Sequence, residues 1–364
     1  MYRANLWRLL LLMFPLFIIV TACHDGSENS SEYRSSNTLG SPEDKALKVS
    51  PSDEKIKIGF SMDTFLEERW LKDRDLFKDA VEKLGAEVEI MAANGDDALQ
   101  ISQAEAMIAS GIDLLMVVPH NAEAAATIVN KAHKAGIKVI SYDRLIKNAD
   151  VDLYISFDNV QVGELQAVAV SNIVPKGKYV YIGGAVTDHN AHMFKKGVFN
   201  VLQPFIDKGD ITVVYDQWSQ DWTPASAYEN MKAALMANHN QIDAVIAAND
   251  ATAGGAIKAL EEQGLAGNIP VAGQDGDLAA IQRIVKGSQM MTAYKPIDYL
   301  TMEAAMIAVK MAKGEKVETN RNMNNGKIEV PSVLLAPVPV NRTNIDETII
   351  SDGFHSFEDV YGKR

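Results

Sequence analysis

The segment IDLLMVVP, residues 112–119, decides how the chain from Lys55 onward is interpreted. It is a short apolar, β-branched run that follows an amphipathic run ending at Gly111 and precedes another ending at Gly136. A similar segment, IDAVIAAN, recurs at residues 242–249, again after a helical run. Alternation of strands with helices is typical of a parallel sheet covered by helices, and the repeat indicates two similar lobes.

The same alternation continues along the body of the chain. We predict strands at Ile56–Ser61, Glu87–Ala92, Leu114–Val118, Lys138–Tyr142, Leu153–Phe157, Tyr179–Gly183, Thr212–Tyr215, Ala244–Ala248, Pro270–Ala272 and Met290–Tyr294. Helices fill the gaps and end near glycines, because glycine adopts the left-handed conformation that commonly ends a helix. These glycines are Gly85, Gly111, Gly136, Gly177, Gly209, Gly264, Gly287 and Gly314. The expected fold class is α/β, with two Rossmann-like parallel-sheet lobes.

The bulk composition limits the classes of function. A chain of 364 residues with 47% hydrophobic and 23% charged residues is expected to fold into two domains. Its formal net charge of −13 would repel phosphate backbones, so nucleic acid is not an expected partner. Since Cys23 is the one cysteine, no intrachain disulfide can form.

The first 22 residues resemble an export signal. Two arginines precede an apolar run at residues 9–20 that is short for a membrane span. The run leads into VTAC, residues 20–23, which resembles the lipobox of bacterial lipoproteins, whose cysteine receives a lipid. We therefore expect a lipidated Cys23 followed by a polar, flexible tether at residues 23–54. Ordinary cleavage before the cysteine and an uncleaved anchor are the alternatives.

Polar residues that follow the predicted strands are candidates for a binding site, because open parallel sheets bind ligands beyond the carboxyl ends of their strands. Charged and amide groups suit sugar hydroxyls, and aromatic rings suit the C–H faces of a sugar. The candidates are Trp70, Asp143, Arg144, Asp158, Asn159, Asp188, Asn190, Trp222, Asn249, Asp250, Asp275 and Lys295. For Asp158 and Asp250 the simpler interpretation as turn formers or helix N-caps is retained. Simpler interpretations also apply to four other residues. Trp218 is expected in the core or at the rim of the site, and Asp73, Arg74 and Asp75 are expected to be solvated helix charges.

Catalytic and cofactor motifs are missing from the sequence. It has no glycine-rich phosphate loop, no His-Glu-x-x-His pair and no Gly-x-Ser-x-Gly elbow, so no enzymatic activity, cofactor or metal is expected. His189 and His192 are expected at the surface or behind the site. Asp143 and Asp275 are of the type that a glycosidase pairs, but neighbouring Arg and Lys would keep both ionised, which favours hydrogen bonding over proton donation.

Ten short segments carry a family resemblance from about Lys55 to His355. They are ERW (68–70), KDRD (72–75), ANG (93–95), YDR (142–144), YISFDN (154–159), VGELQ (162–166), NDATAGGA (249–256), GQD (273–275), YKP (294–296) and DGFH (352–355). In these segments the chain is similar to the type I periplasmic sugar-binding proteins of bacterial ABC importers, and in particular to those for D-xylose. The resemblance implies a Venus-flytrap fold whose lobes are joined by three hinge segments, near Asn159, near Pro296 and near residues 324–328.

The resemblance also implies the lobe boundaries and the site. The implied lobes are residues 55–159 plus 297–325 and residues 160–296 plus 326–356. Trp70 and Trp222 would sandwich the sugar ring. Its hydroxyls would be bonded by Arg69, Asp143, Arg144, Asp188, Asn190, Asn249, Asp275 and Lys295. His189 and Leu66 depart from the family pattern, at positions not assigned to hydroxyl contact.

The expected function is extracytoplasmic capture of a monosaccharide, D-xylose, for the permease of an ABC importer. The protein would be a monomer in the periplasm or at the cell surface, attached to the membrane only by its N-terminal lipid. A sensory receptor that signals to a chemoreceptor or histidine kinase would use the same pocket and is the alternative, as is another pentose or hexose. The effector domain of a LacI-type repressor is disfavoured, because the chain begins with an export signal instead of a helix-turn-helix.

Overall fold

Strands and helices alternate from the start of the computed structural model, which describes residues 55–363. The predicted signal peptide, Cys23 and all of the predicted tether lie outside these residues. The strands are β1 (Lys57–Met62), β2 (Glu87–Ala92), β3 (Leu114–Val117), β4 (Lys138–Tyr142), β5 (Leu153–Phe157), β6 (Gly177–Gly183), β7 (Ile211–Trp218), β8 (Ala244–Ala247), β9 (Val271–Asp275), β10 (Met291–Tyr294), β11 (Arg321–Asn324), β12 (Glu329–Leu335) and β13 (Val338–Asn341).

Helices connect most of these strands. They are α1 (Glu68–Lys83), α2 (Asp97–Ala109), α3 (Ala126–Lys134), α4 (Asn159–Ile173), α5 (His189–Asp207), α6 (Pro224–Ala237), α7 (Asp250–Glu262), α8 (Leu278–Lys286), α9 (Ile297–Ala312) and α10 (Phe357–Tyr361), with a 3₁₀ turn at Gln220–Trp222 and a π-helical turn at Asp346–Ile350. None of the helices in the described part of the chain combines the length and the apolar character that a membrane crossing requires.

The strands of residues 55–363 form two sheets. The first has the order β11-β12-β5-β4-β3-β1-β2, and the second has the order β13-β10-β9-β8-β6-β7. All neighbouring strands are parallel except the pairs β11–β12 and β10–β13. Each sheet with its helices is called a lobe, the first lobe and the second lobe. Two mainly parallel sheets flanked by helices confirm the predicted α/β class.

The continuous apolar run of β3 is explained by burial on both faces of the first sheet. Leu114 and Met116 pack into one cluster with α1 and α9. Leu115 and Val117 pack into another cluster with α2 and α3. Alternation of polar and apolar residues is lost in such a strand, because helices cover both sides of it.

The predicted strands are all present, with ends that differ by up to three residues. Strands β11, β12 and β13 were not predicted. Of the eight predicted helix stops, seven glycines follow helix ends with φ between 67° and 88°. The prediction of a helix end near Gly177 was wrong, because α4 ends earlier, at Ile173, and Gly177 is the first residue of β6.

The chain passes between the lobes at three places. Asp158 lies between β5 of the first sheet and α4, which packs on β8, β9 and β10 of the second. Pro296 lies between β10 and α9, which packs on α1, β3, β4 and β5 of the first lobe. The third crossing lies at residues 336–337, between β12 of the first sheet and β13 of the second.

The third crossing was expected near residues 324–328, which instead form the turn of the β11–β12 hairpin. Gly326 has φ 95°, and the Asn325 N–H donates to the carbonyl of Ile328 at 3.1 Å. The chain then returns as β12, which runs parallel to β5. Residues 326–335 therefore belong to the first lobe and not to the second, and the lobe boundaries near residues 159 and 296 remain our proposal.

Candidate functional site

A buried cavity lies where loops from the carboxyl ends of the strands of both lobes meet. Its lining consists of Glu67, Arg69, Trp70, Asp143, Arg144, Asp188, Asn190, Phe194, Trp222, Asn249, Gln274, Asp275 and Lys295. The cavity has a volume of about 30 Å³. The ten ligand-binding side chains expected from the sequence all lie in this lining.

Both lobes contribute to the lining through residues that follow their parallel strands. From the first lobe come Glu67, Arg69 and Trp70 after β1, and Asp143 and Arg144 after β4. From the second lobe come Asp188 and Asn190 after β6, Trp222 after β7, Asn249 after β8, Asp275 at the end of β9, and Lys295 after β10. This placement follows from parallel pairing, which brings the ends of the strands to one edge of each sheet.

The turn at Asp143 has a backbone conformation that is unusual for a residue with a side chain. Its φ is 58°, and its carbonyl accepts hydrogen bonds from Tyr154 Oη at 2.9 Å, Ser156 Oγ at 2.7 Å and Asn190 Nδ2 at 3.0 Å. Such conformations persist where the surroundings fix them, and they cluster at ligand-binding positions. The surrounding hydrogen bonds therefore fix the direction of the Asp143 side chain in the cavity wall.

Charged side chains of the cavity pair between the two lobes. Arg144 Nε lies 2.7 Å from Asp188 Oδ2, and Arg69 Nη1 lies 3.7 Å from Asp275 Oδ1. All four side chains are at least nine-tenths buried. Because each pair joins the first lobe to the second, the lobes are closed on each other in this structure.

Further ion pairs lie within a lobe. Arg69 Nη1 lies 3.0 Å from Asp143 Oδ2, and Arg69 Nε lies 3.1 Å from Asp73 Oδ2. Asp73 also accepts a hydrogen bond from the Tyr142 hydroxyl. The expectation that Asp73 is a solvated helix charge was wrong, because these two partners hold it fully buried behind the cavity. Its neighbour Asp75 is exposed.

Burial and pairing set the protonation of the cavity acids. Burial alone would raise the pKa of Asp143, but nearby cations, Arg69 foremost, outweigh it and hold this pKa below its ordinary value. Burial raises the pKa values of Glu67 and Asp188, although the charge of Arg144 opposes both shifts. Asp143 is therefore ionised at neutral pH and has no proton to donate, which argues against the glycosidase interpretation of this residue.

The lining carries charges of both signs. Three cations, Arg69, Arg144 and Lys295, face four carboxyl groups, Glu67, Asp143, Asp188 and Asp275. Within the described residues, three buried polar atoms of the lining have neither a hydrogen-bond partner nor an ion pair, namely Glu67 Oε2, Gln274 Oε1 and Trp222 Nε1. A buried polar atom without a partner is costly, so a ligand that supplies both donors and acceptors is favoured here. The lining fits an uncharged ligand with several hydroxyls.

Aromatic side chains complete the cavity wall. Trp70 comes from the first lobe and carries the guanidinium of Arg69 at 4.3 Å from its ring centroid. Trp222 comes from the second lobe and meets Phe194 edge-on, with ring centroids 6.2 Å apart. The six-membered ring of Trp222 lies so close to Gly184 that a Cβ there would stand 2.1 Å from two of its carbons. Glycine is therefore required at 184 for this position of the indole.

Three lining residues were not identified from the sequence: Glu67, Phe194 and Gln274. Phe194 lies one helical turn after Asn190 on α5, so helical periodicity could have found it. Gln274 precedes Asp275 within β9, where alternation places neighbours on opposite faces, and Glu67 lies in a loop ahead of α1. The sequence carries no comparable signal for these two.

The residues that were expected to act as helix caps, turn formers, core residues or surface residues lie outside the cavity lining. Asp158 caps α4 by accepting a backbone N–H of its first turn, and the buried Asp250 accepts backbone N–H groups of the turn after β9. Trp218 is half-buried and contacts His192, with ring centroids 4.8 Å apart and the ring planes tilted by 49°. His189 is likewise absent from the lining. Among residues 55–363, no three His, Cys, Asp or Glu side chains are grouped so that they could hold a metal ion.

The fold and the cavity define a two-lobe binding protein for a small, uncharged, polar ligand. Residues 58–316 match the family model described as periplasmic binding protein domain, and the chain belongs to this family. This confirms the family indicated by the ten segments.

Curated relatives cover most of the chain. The D-xylose-binding periplasmic protein of Haemophilus influenzae is 53% identical over 306 residues, which are 84% of this chain and 92% of that protein. The protein of the same name from Escherichia coli is 51% identical over 300 residues, 82% of this chain and 91% of the relative.

Solved structures show the same fold. A solute-binding protein of a carbohydrate transporter from Chloroflexus aurantiacus, in complex with D-glucose, superposes with a TM-score of 0.79 at 31% identity and covers 84% of this chain and 98% of its own. An ABC transporter solute-binding protein from Clostridium phytofermentans, with bound β-D-glucose, superposes with a TM-score of 0.78 at 30% identity. It covers 84% of this chain and 99% of its own.

Proposed function

We propose that this protein captures one monosaccharide, D-xylose, between its two lobes and delivers it to the permease of an ABC importer. The observation that carries the proposal is the buried cavity, in which cations and carboxylates from both lobes form ion pairs in a lining that also contains two tryptophans. The choice of sugar is supported by two relatives above 50% identity that are named D-xylose-binding periplasmic proteins.

The geometry supports capture by lobe closure. The Arg144–Asp188 and Arg69–Asp275 contacts exist only while the lobes are together, and a sugar that bonds to both lobes adds to their stability. A ligand shifts such an equilibrium by the difference between its affinities for the closed and open forms. A sugar epimer would leave a buried polar group unpaired at a cost of about 1–3 kcal/mol, which provides selectivity.

The proposed role is binding without catalysis. Asp143 is held ionised, and the relatives are named as binding proteins. We extend the periplasmic location given in those names to this chain. The protein would be a monomer, attached to the membrane by a lipid on Cys23. Intact-mass analysis of the membrane-extracted protein tests the attachment, since only lipidation adds the mass of acyl chains.

Isothermal titration of the purified full-length protein with D-xylose, D-ribose, L-arabinose and D-glucose tests the binding function. One-to-one saturable binding that is strongest for D-xylose is the expected result. Stronger binding of another of the four sugars would move the specificity while keeping the mechanism. Absence of heat with all four would contradict the proposal.

A transport assay separates import from sensing. Deletion of the gene should abolish uptake of radiolabelled D-xylose at low external concentration, and complementation should restore it. If uptake persists while a transcriptional or chemotactic response to the sugar disappears, the protein is a sensory receptor with the same pocket.

A further inference from the structure

A second group of contacts joins the lobes away from the cavity. Lys72 Nζ, on α1 of the first lobe, donates to the carbonyl of Phe354 in the second lobe at 2.8 Å and lies 3.3 Å from His355 Nδ1. One turn earlier, Glu68 Oε2 accepts the backbone N–H of Leu278, the first residue of α8, at 3.2 Å. We call Glu68, Lys72, Phe354 and His355 the interlobe clasp. None of them lines the cavity.

The protonation state of His355 follows from its two partners. The ring is buried, with Nδ1 facing the Lys72 ammonium and Nε2 lying 2.7 Å from the carbonyl oxygen of Gly276. An ammonium group only donates hydrogen bonds and a carbonyl oxygen only accepts them. Nδ1 must therefore accept from Lys72 and Nε2 must carry the proton. Both contacts are satisfied only by the neutral imidazole.

The hydrogen bond from His355 to the carbonyl of Gly276 connects the interlobe clasp to the cavity. Gly276 follows Asp275, whose φ of 103° is unusual for a residue with a side chain. Asp275 Oδ1 lies 3.4 Å from Lys295 and faces Arg69 of the other lobe. His355 thus holds the turn that carries a cavity carboxylate, while Lys72 holds His355 from the first lobe.

The charged groups that face the His355 ring come from two elements. Lys72 and Glu68 face it from α1, the latter with Oε1 at 3.8 Å from Nδ1, and Asp359 acts on it from α10. Burial lowers the pKa of His355 below its ordinary value, against the opposing effects of the bond to Gly276 and of the two carboxylates. Protonation would place an N–H opposite the Lys72 ammonium, and Glu68 offsets this repulsion only in part because it is farther away.

We propose that Lys72 and His355 are positioning residues that hold the lobes closed on the sugar without touching it, and that protonation of His355 weakens this hold. The inference rests on the proposed function. When the lobes separate, Lys72 leaves His355 and the ring meets solvent, so its pKa returns towards about 6.5. The closed form favours the neutral ring. Sugar affinity is then complete above about pH 6.5 and decreases as the pH falls below this value.

Lys72→Met tests the hold itself, with Lys78→Met as the matched control. Lys78 lies on the same helix, is exposed and faces Glu82 of its own helix at 3.9 Å, so its loss leaves the contacts between lobes intact. Stopped-flow tryptophan fluorescence gives the dissociation rate of D-xylose, and titration gives its Kd. Loss of a charge-assisted hydrogen bond predicts an increase of about tenfold in both for Lys72→Met. The control should stay within about twofold.

His355→Gln tests the protonation step. A glutamine side chain offers an amide donor for Gly276 and a carbonyl acceptor for Lys72, but it does not titrate. Between pH 7.5 and 5.5 the affinity of the wild type should fall severalfold more than that of the variant. The comparison removes the contribution of His120, which pairs with Asp63, a partner of the cavity residue Arg144, and titrates in both proteins.

The outcomes distinguish this inference from the proposed function. Dissociation from Lys72→Met at the wild-type rate, even with a lower melting temperature, would reduce Lys72 to a structural role and overturn the inference alone. Equal pH dependence of the wild type and His355→Gln would overturn the protonation step. Absence of saturable binding by the wild type to all four sugars would overturn the proposed function, and the inference with it.

Discussion

Replacing Gly184 by alanine should weaken sugar binding although it removes none of the cavity side chains. The added Cβ would lie 2.1 Å from Cζ3 and Cη2 of Trp222. Carbon atoms in contact are about 3.5–4.0 Å apart, so the indole must retreat by about 1.4 Å or more. The backbone of Trp222 has φ 59° and follows Asp221 at φ 48°, and two such residues in succession leave the loop few ways to adjust without losing the position of the ring.

The size of the effect follows from the contact area of the ring. An aromatic side chain buries about 150–250 Å², so loss of sugar contact by one indole face removes about 80 Å² of apolar burial. At about 25 cal/mol per Å² this corresponds to about 2 kcal/mol. The Kd for D-xylose should therefore rise about 30-fold.

Isothermal titration measures this Kd, and a thermal melt shows whether the variant is folded. Gly254→Ala is the matched control: it lies within α7, and the nearest atom to the added Cβ is the flexible end of Arg283 at 3.1 Å. Its affinity should equal that of the wild type. A folded Gly184→Ala protein with unchanged affinity would refute the assignment of Trp222 to the sugar-binding wall.

Two further substitutions test the electrostatics. Asp188→Asn removes the carboxylate that Arg144 Nε meets at 2.7 Å between the lobes, while Arg144 keeps Asp63 as a partner at 2.6 Å within the first lobe. Loss of this one charge-assisted contact costs about 2 kcal/mol, so titration should show a Kd about 30-fold higher. An unchanged Kd would mean that the pair does not favour closure. Burial, and then the charge of Asp275, raises the pKa of Asp250 to about 7, above its unfolded value of about 3.9. The stabilisation that results from this raised pKa is complete below about pH 4 and is lost as the pH rises to about 7. The melting temperature of the wild type should therefore fall over this range more steeply than that of Asp250→Asn. Parallel melting curves would contradict a raised pKa of Asp250.

The strands that the sequence failed to predict are those without a buried apolar run. β3 and β8 are apolar throughout because helices cover both faces of their sheets, and both were found. β11 reads Arg-Asn-Met-Asn and is mostly exposed at a sheet edge, so its residues carry no burial pattern. The Asn325–Gly326 pair did contain a hairpin signal. Because this signal was not used, the third crossing between the lobes was predicted about ten residues too early in the chain.

The site was more predictable than its environment. Strand ends in a parallel sheet converge whatever the loop lengths, so residues such as Asp143 and Asp275 could be assigned to one edge without coordinates. Asp73 could not be placed, because its burial depends on Tyr142, a residue 69 positions away in the chain. Contacts between elements of this kind have no periodic signature. They decide whether a charged residue lies in solvent or behind the cavity.

The short crossing at residues 336–337 couples the folding of the two lobes. β12 completes the edge of one sheet beside β5, and β13 completes the other beside β10, so the same late stretch of chain serves both. A folding intermediate with one finished lobe would need half of this stretch in place while the other half remained loose. Unfolding is therefore expected to be a single cooperative transition. The same two residues would thus serve as a hinge in the proposed opening of the lobes and as a link between them during unfolding.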